Sequence, residues 1–174
     1  VLHAFQSACG MPDIHTASSL LSTGKWFKIA IVEEGIYRID YDMLKTIGIA
    51  DPSNPRIYGN NSGQLSYFND GTAGDDLKEV ALYISTGSDR IFSEGDFLLF
   101  YGQSTGRWVY SQNEREFKYL RHNYSDTAFY FVTSGNGPGK RITEYVPPAD
   151  PPNFYSESSD ALFIHEKETE NILH

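Results

Sequence analysis

The stretch Lys25-Trp-Phe-Lys-Ile-Ala-Ile-Val32 decides the fold class of this chain. It is rich in aromatic and β-branched residues, which favour a pleated strand. After the turn-like Glu33-Glu-Gly35 comes Ile36-Tyr-Arg-Ile39, where apolar and polar residues alternate with the period of two that is typical of a half-buried strand. Together the two stretches predict a β-hairpin, and Trp26 is expected to be a core residue of its first strand.

Strand signals recur along the rest of the chain. Residues 77–85 alternate so that Val80, Leu82 and Ile84 share one face. The continuous apolar run Phe97-Leu-Leu-Phe-Tyr101 predicts a strand that is covered on both faces, and residues 128–133 predict another strand. Shorter strands are predicted at residues 1–9, 56–58, 108–110, 140–146 and 161–164.

One short helix interrupts the strands near residues 41–48. Asp40 or Asp42 can cap its N-terminus, Met43, Leu44 and Ile47 share a face, and Gly48 ends it. Residues 114–126 are charged and are expected to form a loop or a helical turn. The predicted fold is therefore mostly β, a sandwich-like domain of short antiparallel strands with one helix, and no alternating βαβ units.

The chain divides into three predicted regions. Residues 1–23 form an N-terminal strand and loop, and residues 24–146 form the main β domain. Residues 147–174 begin with the stiff connector Pro147-Pro-Ala-Asp-Pro-Pro152 and contain a terminal strand that leads to a missing downstream domain.

Composition excludes several classes of function. The formal net charge is -9, and Lys and Arg are dispersed without a basic stripe. Such a surface repels a phosphate backbone and an anionic membrane, so we expect neither nucleic-acid binding nor membrane insertion. No apolar run approaches the roughly 20 residues that a membrane-spanning helix needs.

The sequence contains no motif of a catalytic site. Cys9 is the single cysteine, and it is either a small buried apolar residue or a thiol that would need a base such as His3 or His15. The five histidines lack zinc-ligand spacing, and no nucleophile elbow or phosphate loop occurs. We therefore expect no catalytic residue and no bound organic cofactor.

Two binding sites remain as hypotheses. Asp70, Asp75 and Asp76 lie in a Gly-containing loop whose oxygens suit calcium, although the spacing is not that of an EF-hand and solvated turn residues are the simpler explanation. Trp108 follows Gly106 in a turn and is either a core residue or a ring for stacking on sugars. A carbohydrate-binding or adhesive surface module is therefore the alternative function.

An ordered series of segments resembles the N-terminal, pre-catalytic region of the type IX secretion system sortase, a gingipain-like cysteine peptidase of Bacteroidota. The resemblance runs from about Gly24 to Asn171. Its segments are Gly24-Lys-Trp-Phe-Lys-Ile-Ala-Ile-Val32, Gly35-Ile-Tyr-Arg-Ile39, Leu44-Lys-Thr-Ile-Gly48, Pro55-Arg-Ile-Tyr-Gly-Asn60, Asp76-Leu-Lys-Glu-Val-Ala81, Gly95-Asp-Phe-Leu-Leu-Phe-Tyr101, Trp108, Asn123-Tyr-Ser-Asp126, Tyr130-Phe-Val-Thr133, His165-Glu166 and Asn171.

The resemblance implies a β-rich, non-catalytic domain that precedes a caspase-like catalytic domain in an exported protein at the outer-membrane surface or in the periplasm. The full-length parent would be a cysteine endopeptidase that cleaves sorting signals from cargo. The catalytic His-Cys pair of that family has no counterpart in this sequence. The implied partners are the downstream catalytic domain of the same protein and other secretion-system components.

Overall fold

A computed structural model describes residues 16–59, 63–64, 76–135, 137, 139–147, 149–151 and 154–158. The fold is mostly β, with 38% of the described residues in strands and 7% in helices, which confirms the predicted fold class. The elements described are a 3-10 helix (Leu20–Ser22), β1 (Phe27–Ile31), β2 (Gly35–Asp40), α1 (Tyr41–Thr46), β3 (Pro55–Gly59), β4 (Lys78–Val80), β5 (Tyr83–Ser85), β6 (Phe97–Gly102), β7 (Arg107–Ser111), β8 (Glu116–Leu120) and β9 (Ala128–Ser134).

Two antiparallel sheets enclose the core. One has the strand order β1-β9-β3-β4 and the other the order β2-β6-β5. Alternate residues of each strand point inward, so that Ile57 and Val132 of the first sheet and Leu98 of the second are all fully buried. Phe100 meets Tyr130 across the interface, with ring centroids 5.6 Å apart. The two inner faces therefore pack on one another as in a sandwich.

The predicted strand at residues 77–85 passes from one sheet to the other. Its first part, β4, pairs with β3, and its second part, β5, pairs with β6. Leu82 lies at the crossing with no exposed surface, and Val80 is also buried. The predicted period of two is confirmed, and the strand connects both layers of the sandwich.

The predicted hairpin between β1 and β2 is wrong. β1 pairs with β9, and β2 pairs with β6, so the short link at residues 32–34 carries the chain between the two sheets. Ile31 and Ile39 thereby enter the same core from opposite layers. Gly35 is not among the glycines with positive φ, as it would be in the common two-residue hairpin turns.

Two expected core positions are more exposed than the sequence indicated. β6 is buried on one face only, because Leu98 and Phe100 are covered whereas Tyr101 is 46% exposed. Trp26 precedes β1 and is half-buried on the outer face of the four-stranded sheet, where its ring contacts Tyr58 edge-on at 5.3 Å. It is therefore not part of the core between the sheets.

The short helix forms where it was predicted. Leu44 is fully buried against the core, and Gly48 closes the helix with φ +104°. Asp40 occupies the N-cap position without capping the backbone, since its carboxylate binds Arg38 at 2.7 Å instead. Met43, which was expected on the buried face, is 51% exposed.

Residues 114–126 contain a strand, β8, rather than only a loop or helical turn. Of the segment 140–146, only Arg141 forms a bridge, to Leu82. The strands predicted at residues 1–9 and 161–164 lie outside the described residues, and the region boundaries at 23/24 and 146/147 stay predictions. In the part of the chain that is described, no helix has the length and apolar character to cross a membrane.

Candidate functional site

The strands β7 and β8 form a separate hairpin. They pair with each other and do not extend either sheet of the sandwich. A four-residue loop joins them, and the backbone N–H of Arg115 donates to the carbonyl of Ser111 at 2.8 Å, with Arg115 at φ +55°. This hairpin, residues 107–120, is called the arm below.

One face of the arm carries four aromatic rings. Trp108 is opposite Tyr119, and Tyr110 is opposite Phe117, so alternation along both strands places all four on the same face. The ring centroids lie 5.4 Å apart in the first pair and 5.1 Å apart in the second. Cross-strand aromatic pairs at such distances stabilise a hairpin. This set is called the aromatic row.

Most of the aromatic row is exposed. Trp108 is 40%, Tyr110 42% and Phe117 53% exposed. Tyr119 is half-buried because its hydroxyl lies against Gly106, where any Cβ would collide with it. An isolated two-stranded hairpin is only marginally stable in water. An exposed aromatic face on such an element is suited to contact with another surface.

The opposite face of the arm is more polar. It presents Arg107, Ser111, Glu116 and Lys118, together with the exposed apolar side chains of Val109 and Leu120. Lys118 forms ion pairs with Glu114 and Glu116, and the pKa of the Glu114 carboxyl is lowered chiefly by its hydrogen bond from Lys118. The arm is therefore amphipathic, with the polar face suited to solvent.

Hydrogen bonds fix the segment that leads from the arm to β9. The Nδ1 atom of His122 accepts the backbone N–H groups of Tyr124 and Ser125, both at 3.1 Å. Asn123 donates its backbone N–H to Oε1 of Gln64 at 2.8 Å. His122 thus organises a turn.

Cys9, His3, His15, His165 and His174 lie outside the described residues, so the structure does not test the expectation that the chain lacks a catalytic pair.

Of the three candidate calcium ligands, only Asp76 is described. Its carboxylate accepts hydrogen bonds from the backbone of Leu20 at 2.6 Å and of Leu77 at 2.8 Å, and from the hydroxyl of Ser19 at 3.1 Å. It thereby tethers the N-terminal 3-10 helix to the start of β4. Asp70 and Asp75 lie outside the described part of the chain, and within that part no three acidic, His or Cys side chains cluster.

Sequence reasoning found Trp108 but missed the row to which it belongs. The signal is the matched alternation of Trp108 and Tyr110 with Phe117 and Tyr119 on either side of Gln112-Asn-Glu-Arg115. This alternation was not recognised, because the charged residues Glu114, Glu116 and Lys118 give the second strand the composition of a loop.

Comparisons with known proteins found one informative structural likeness. A crystal structure of dimeric latent PorU from Porphyromonas gingivalis matches with a TM-score of 0.58 and 25% sequence identity. The match covers 74% of this chain and 11% of the PorU chain. This chain therefore spans a small fraction of the length of the protein it resembles. No protein-family model and no curated protein matched.

Proposed function

We propose that this chain is a non-catalytic accessory β domain of a PorU-like peptidase, a type IX secretion sortase. The observation that carries the proposal is the structural match to PorU, which spans 74% of the chain. The ordered segments from about Gly24 to Asn171 support the same family. The match occupies 11% of the PorU chain, and in this proposal the chemistry of the parent protein belongs to the remainder.

The domain has a supporting role in this proposal, and the arm is its contact surface. Trp108, Tyr110 and Phe117 expose their rings on an element that pairs with neither sheet. Packing of the aromatic row on the catalytic domain of the same polypeptide would remove this apolar surface from water. In this proposal the protein lies on the export route, at the outer-membrane surface or in the periplasm, with other secretion components as further partners; the likeness to PorU supports export.

Hydrogen exchange tests the role of the arm. The backbone amides of β7 and β8 are measured in the 174-residue chain and in the longer protein that contains it. We expect much slower exchange in the longer protein, because docking lowers the population of the open hairpin. Strand β9, central in its sheet, is the internal control and should exchange equally slowly in both. Equal exchange of the arm in both proteins would overturn the docking role.

A peptidase assay tests the non-catalytic role separately. The 174-residue chain should not turn over peptide substrates, whereas the longer protein should. Turnover by the chain alone that is abolished by Cys9→Ala would contradict the proposal. A caspase-like domain with paired His and Cys downstream in the same gene is the outcome we expect from sequencing.

The second candidate function is glycan binding, which the exposure of Trp108 favours. Flat rings with accessible faces stack on the apolar faces of sugars, and Trp108 lies in a row with two other exposed rings. A glycan array with the native chain and Trp108→Ala distinguishes the two functions. Binding that the substitution abolishes supports this candidate, and binding that it leaves unchanged argues against it.

A further inference from the structure

The strand β1 lies at one edge of the four-stranded sheet and pairs there with β9 alone. Its neighbour in sequence, β2, belongs to the other sheet. In an antiparallel edge strand, alternate residues direct their backbone N–H and C=O groups away from the one neighbouring strand. Within the part of the chain that is described, no other backbone hydrogen bond reaches Phe27–Ile31. The outer edge of β1 is therefore open to pairing with a further strand.

β1 lacks most of the features that prevent an edge strand from pairing. It contains no proline, and its register against β9 is continuous over all five residues, without a bulge. Ile29 and Ile31 face the core, and Phe129, on the outer face beside this edge, is 44% exposed. An added strand would therefore gain backbone hydrogen bonds and would also cover apolar surface.

Positive charge borders this edge. Residues 24–32 contain two lysines and no acidic residue. Both Lys25 and Lys28 are exposed, and among the described residues no carboxylate forms an ion pair with either of them. The ammonium group of Lys28 lies over the Phe129 ring, 3.6 Å from its centroid. Because opposite charges on neighbouring strands stabilise pairing, β1 favours an acidic strand beside it.

The other edges offer no such match. β2 is preceded by two glutamates at residues 33–34, and its one cation, Arg38, already pairs with Asp40. β4 and β5 meet at Leu82, whose backbone N–H and C=O are both bonded to residues 140–142. An acidic strand is therefore repelled by β2 and finds the crossing between β4 and β5 already occupied.

The C-terminal part of the chain contains a strand-like segment with the matching charge. Ala161-Leu-Phe-Ile164 lies outside the described residues, and its apolar composition predicts a strand. Residues 165–170 follow it and carry a glutamate at every second position, at 166, 168 and 170, with one lysine among them. On a strand, three carboxylates with this spacing share one face.

The N-terminal segment is a poorer match for this edge. Residues 1–9, which also lie outside the described part, contain no Asp, Glu, Lys or Arg. The 3-10 helix that follows them is held near β4, at the far edge of the sheet, because the backbone N–H of Leu20 donates to Asp76. Charge and position therefore both favour residues 161–164 as the occupant of the β1 edge.

The chain is long enough to bring residues 161–164 to β1. Arg141 is bridged to Leu82 close to β4, which lies three strand spacings, or roughly 14 Å, from β1. Ala161 follows Arg141 by twenty residues, and an extended chain of that length spans about 60 Å. Ala161 can therefore reach the edge even by a path around the outside of the sheet.

We propose that Ala161-Leu-Phe-Ile164 pairs with β1 in antiparallel orientation, as a fifth strand of this sheet. Antiparallel pairing directs the chain after Ile164 back past the start of β1, so that the glutamates at 166 and 168 meet Lys25 and Lys28. The residues after Ile164 would thereby be held at a fixed position on the sandwich. This inference does not rest on the proposed function of the domain.

Amide hydrogen exchange in the 174-residue chain tests the pairing. A strand paired on one side protects every second amide, whereas a strand paired on both sides protects them all. We expect slow exchange along the whole of β1, and an alternating pattern in β2 as the comparison. Nuclear Overhauser contacts should join β1 to residues 161–164. Alternating exchange along β1, or contacts of its outer edge with residues 1–9 or with a second copy of the chain, would overturn the proposal.

Paired proline substitutions make the result specific to this segment. Adjacent residues of a strand point their N–H groups to opposite sides, so Leu162→Pro together with Phe163→Pro removes a ladder donor in either register. The alternate amides of β1 should then exchange at least about tenfold faster, while those bonded to β9 keep their protection. Glu157→Pro together with Ser158→Pro, in the exposed segment before the strand, is the matched control. Equal exchange of β1 in the two double variants would refute the assignment.

The double substitution Lys25→Gln, Lys28→Gln tests the orientation of the added strand. The alternate amides of β1 should lose protection several-fold at low salt, because the glutamates lose their partners, and high salt should have the same effect in the native chain. Lys78→Gln, at an exposed lysine on β4, is the control and should leave the protection of β1 unchanged. Full protection of β1 in the double lysine variant would contradict the antiparallel pairing.

Discussion

The ring of Tyr130 on β9 lies directly against Gly59 on the neighbouring strand β3, where an added Cβ would be 2.5 Å from Cδ1 of that ring. Tyr130 is 1% exposed and also packs on Phe100 of the opposite sheet. Its hydroxyl accepts the backbone N–H of Gln103 at 2.8 Å. The Tyr130 side chain therefore fills the space beside Gly59 in its own sheet, packs on the opposite sheet and forms a hydrogen bond to the residue that follows β6.

Gly59→Ala should destabilise the fold. The new methyl group would force the Tyr130 ring away from Phe100 and from Gln103, and overpacking of this kind typically costs about 1–3 kcal/mol. The free energy of unfolding, measured by urea denaturation, should fall by that amount.

Gly35→Ala is the matched control for this substitution. It makes the same chemical change in a strand, at a position where nothing lies within 4 Å of the added Cβ. Its stability should stay level or rise by a few tenths of a kcal/mol, because alanine reduces the freedom of the unfolded chain. Equal losses in both variants would contradict the account of Tyr130 packing.

Tyr130→Phe should cost about 1–2 kcal/mol, because it leaves the N–H of Gln103 without its acceptor in a partly buried position. The ring and its packing stay in place, so the loss of stability measures the contribution of the hydroxyl alone. Thermal unfolding measures it, and Tyr83→Phe is the control at a tyrosine that is 48% exposed. A Tyr130→Phe variant as stable as Tyr83→Phe would show that the hydroxyl contributes nothing.

Most strand positions could be predicted from the sequence, with β8 as the exception, but their pairing could not. Alternation within residues 77–85 and the apolar run of β6 depend on local chemistry, and both form strands. The partner of β1 is β9, which lies about a hundred residues further along the chain, and no local signal distinguishes that pairing from a hairpin with β2.

Prediction of the candidate sites from the sequence was limited for the same reason. Trp108 was found because a single aromatic residue that follows the glycine of a turn can be recognised in the sequence. The row to which it belongs was not found, because it depends on the pairing of β7 with β8, which places Phe117 and Tyr119 on the same face as Trp108. Chemistry that depends on tertiary convergence carries no sequence spacing to recognise.

The hydroxyl of Tyr101 provides a test in alkali. It donates to Oε1 of Glu34, and this hydrogen bond, with smaller effects of burial and of the charge itself, raises the pKa of Tyr101 from 10.0 to about 12. Because the folded state raises this pKa, Tyr101 contributes stability that is fully present below pH 10. This contribution is lost as pH rises through about 12.

Glu34→Gln should bring the pKa of Tyr101 back toward its ordinary value, because the neutral amide no longer repels tyrosinate. Tyrosinate absorbance of each protein, minus that of the same protein carrying Tyr101→Phe, isolates this group. Glu33→Gln is the neighbouring control, since only the backbone carbonyl of Glu33 is engaged, by Tyr37. An identical titration with and without the Glu34 carboxylate would refute the assignment.

The calcium hypothesis predicts a melting temperature that rises in millimolar calcium and falls back with chelator, as expected for an ion that binds only the folded state. Asp70→Asn should abolish the response. Asp76→Asn should also loosen the 3-10 helix without calcium, because its carboxylate holds the N–H of Leu20. A melting temperature indifferent to both calcium and chelator would remove the hypothesis.

Gly106→Ala should disrupt the aromatic row while leaving the sandwich intact. The added Cβ would occupy the position of the Tyr119 hydroxyl, so Tyr119 must turn out and lose its edge contact with Trp108. The indole N–H signal of Trp108 should shift, whereas that of Trp26, whose indole N–H donates to the Thr23 carbonyl at 2.6 Å, should stay. Gly87→Ala, whose Cβ would meet nothing nearer than 3.7 Å, is the control.

Because the arm pairs with neither sheet, the melting temperature of the core should change little in Gly106→Ala. A large loss of core stability would contradict this independence and show that the arm is part of the folding unit.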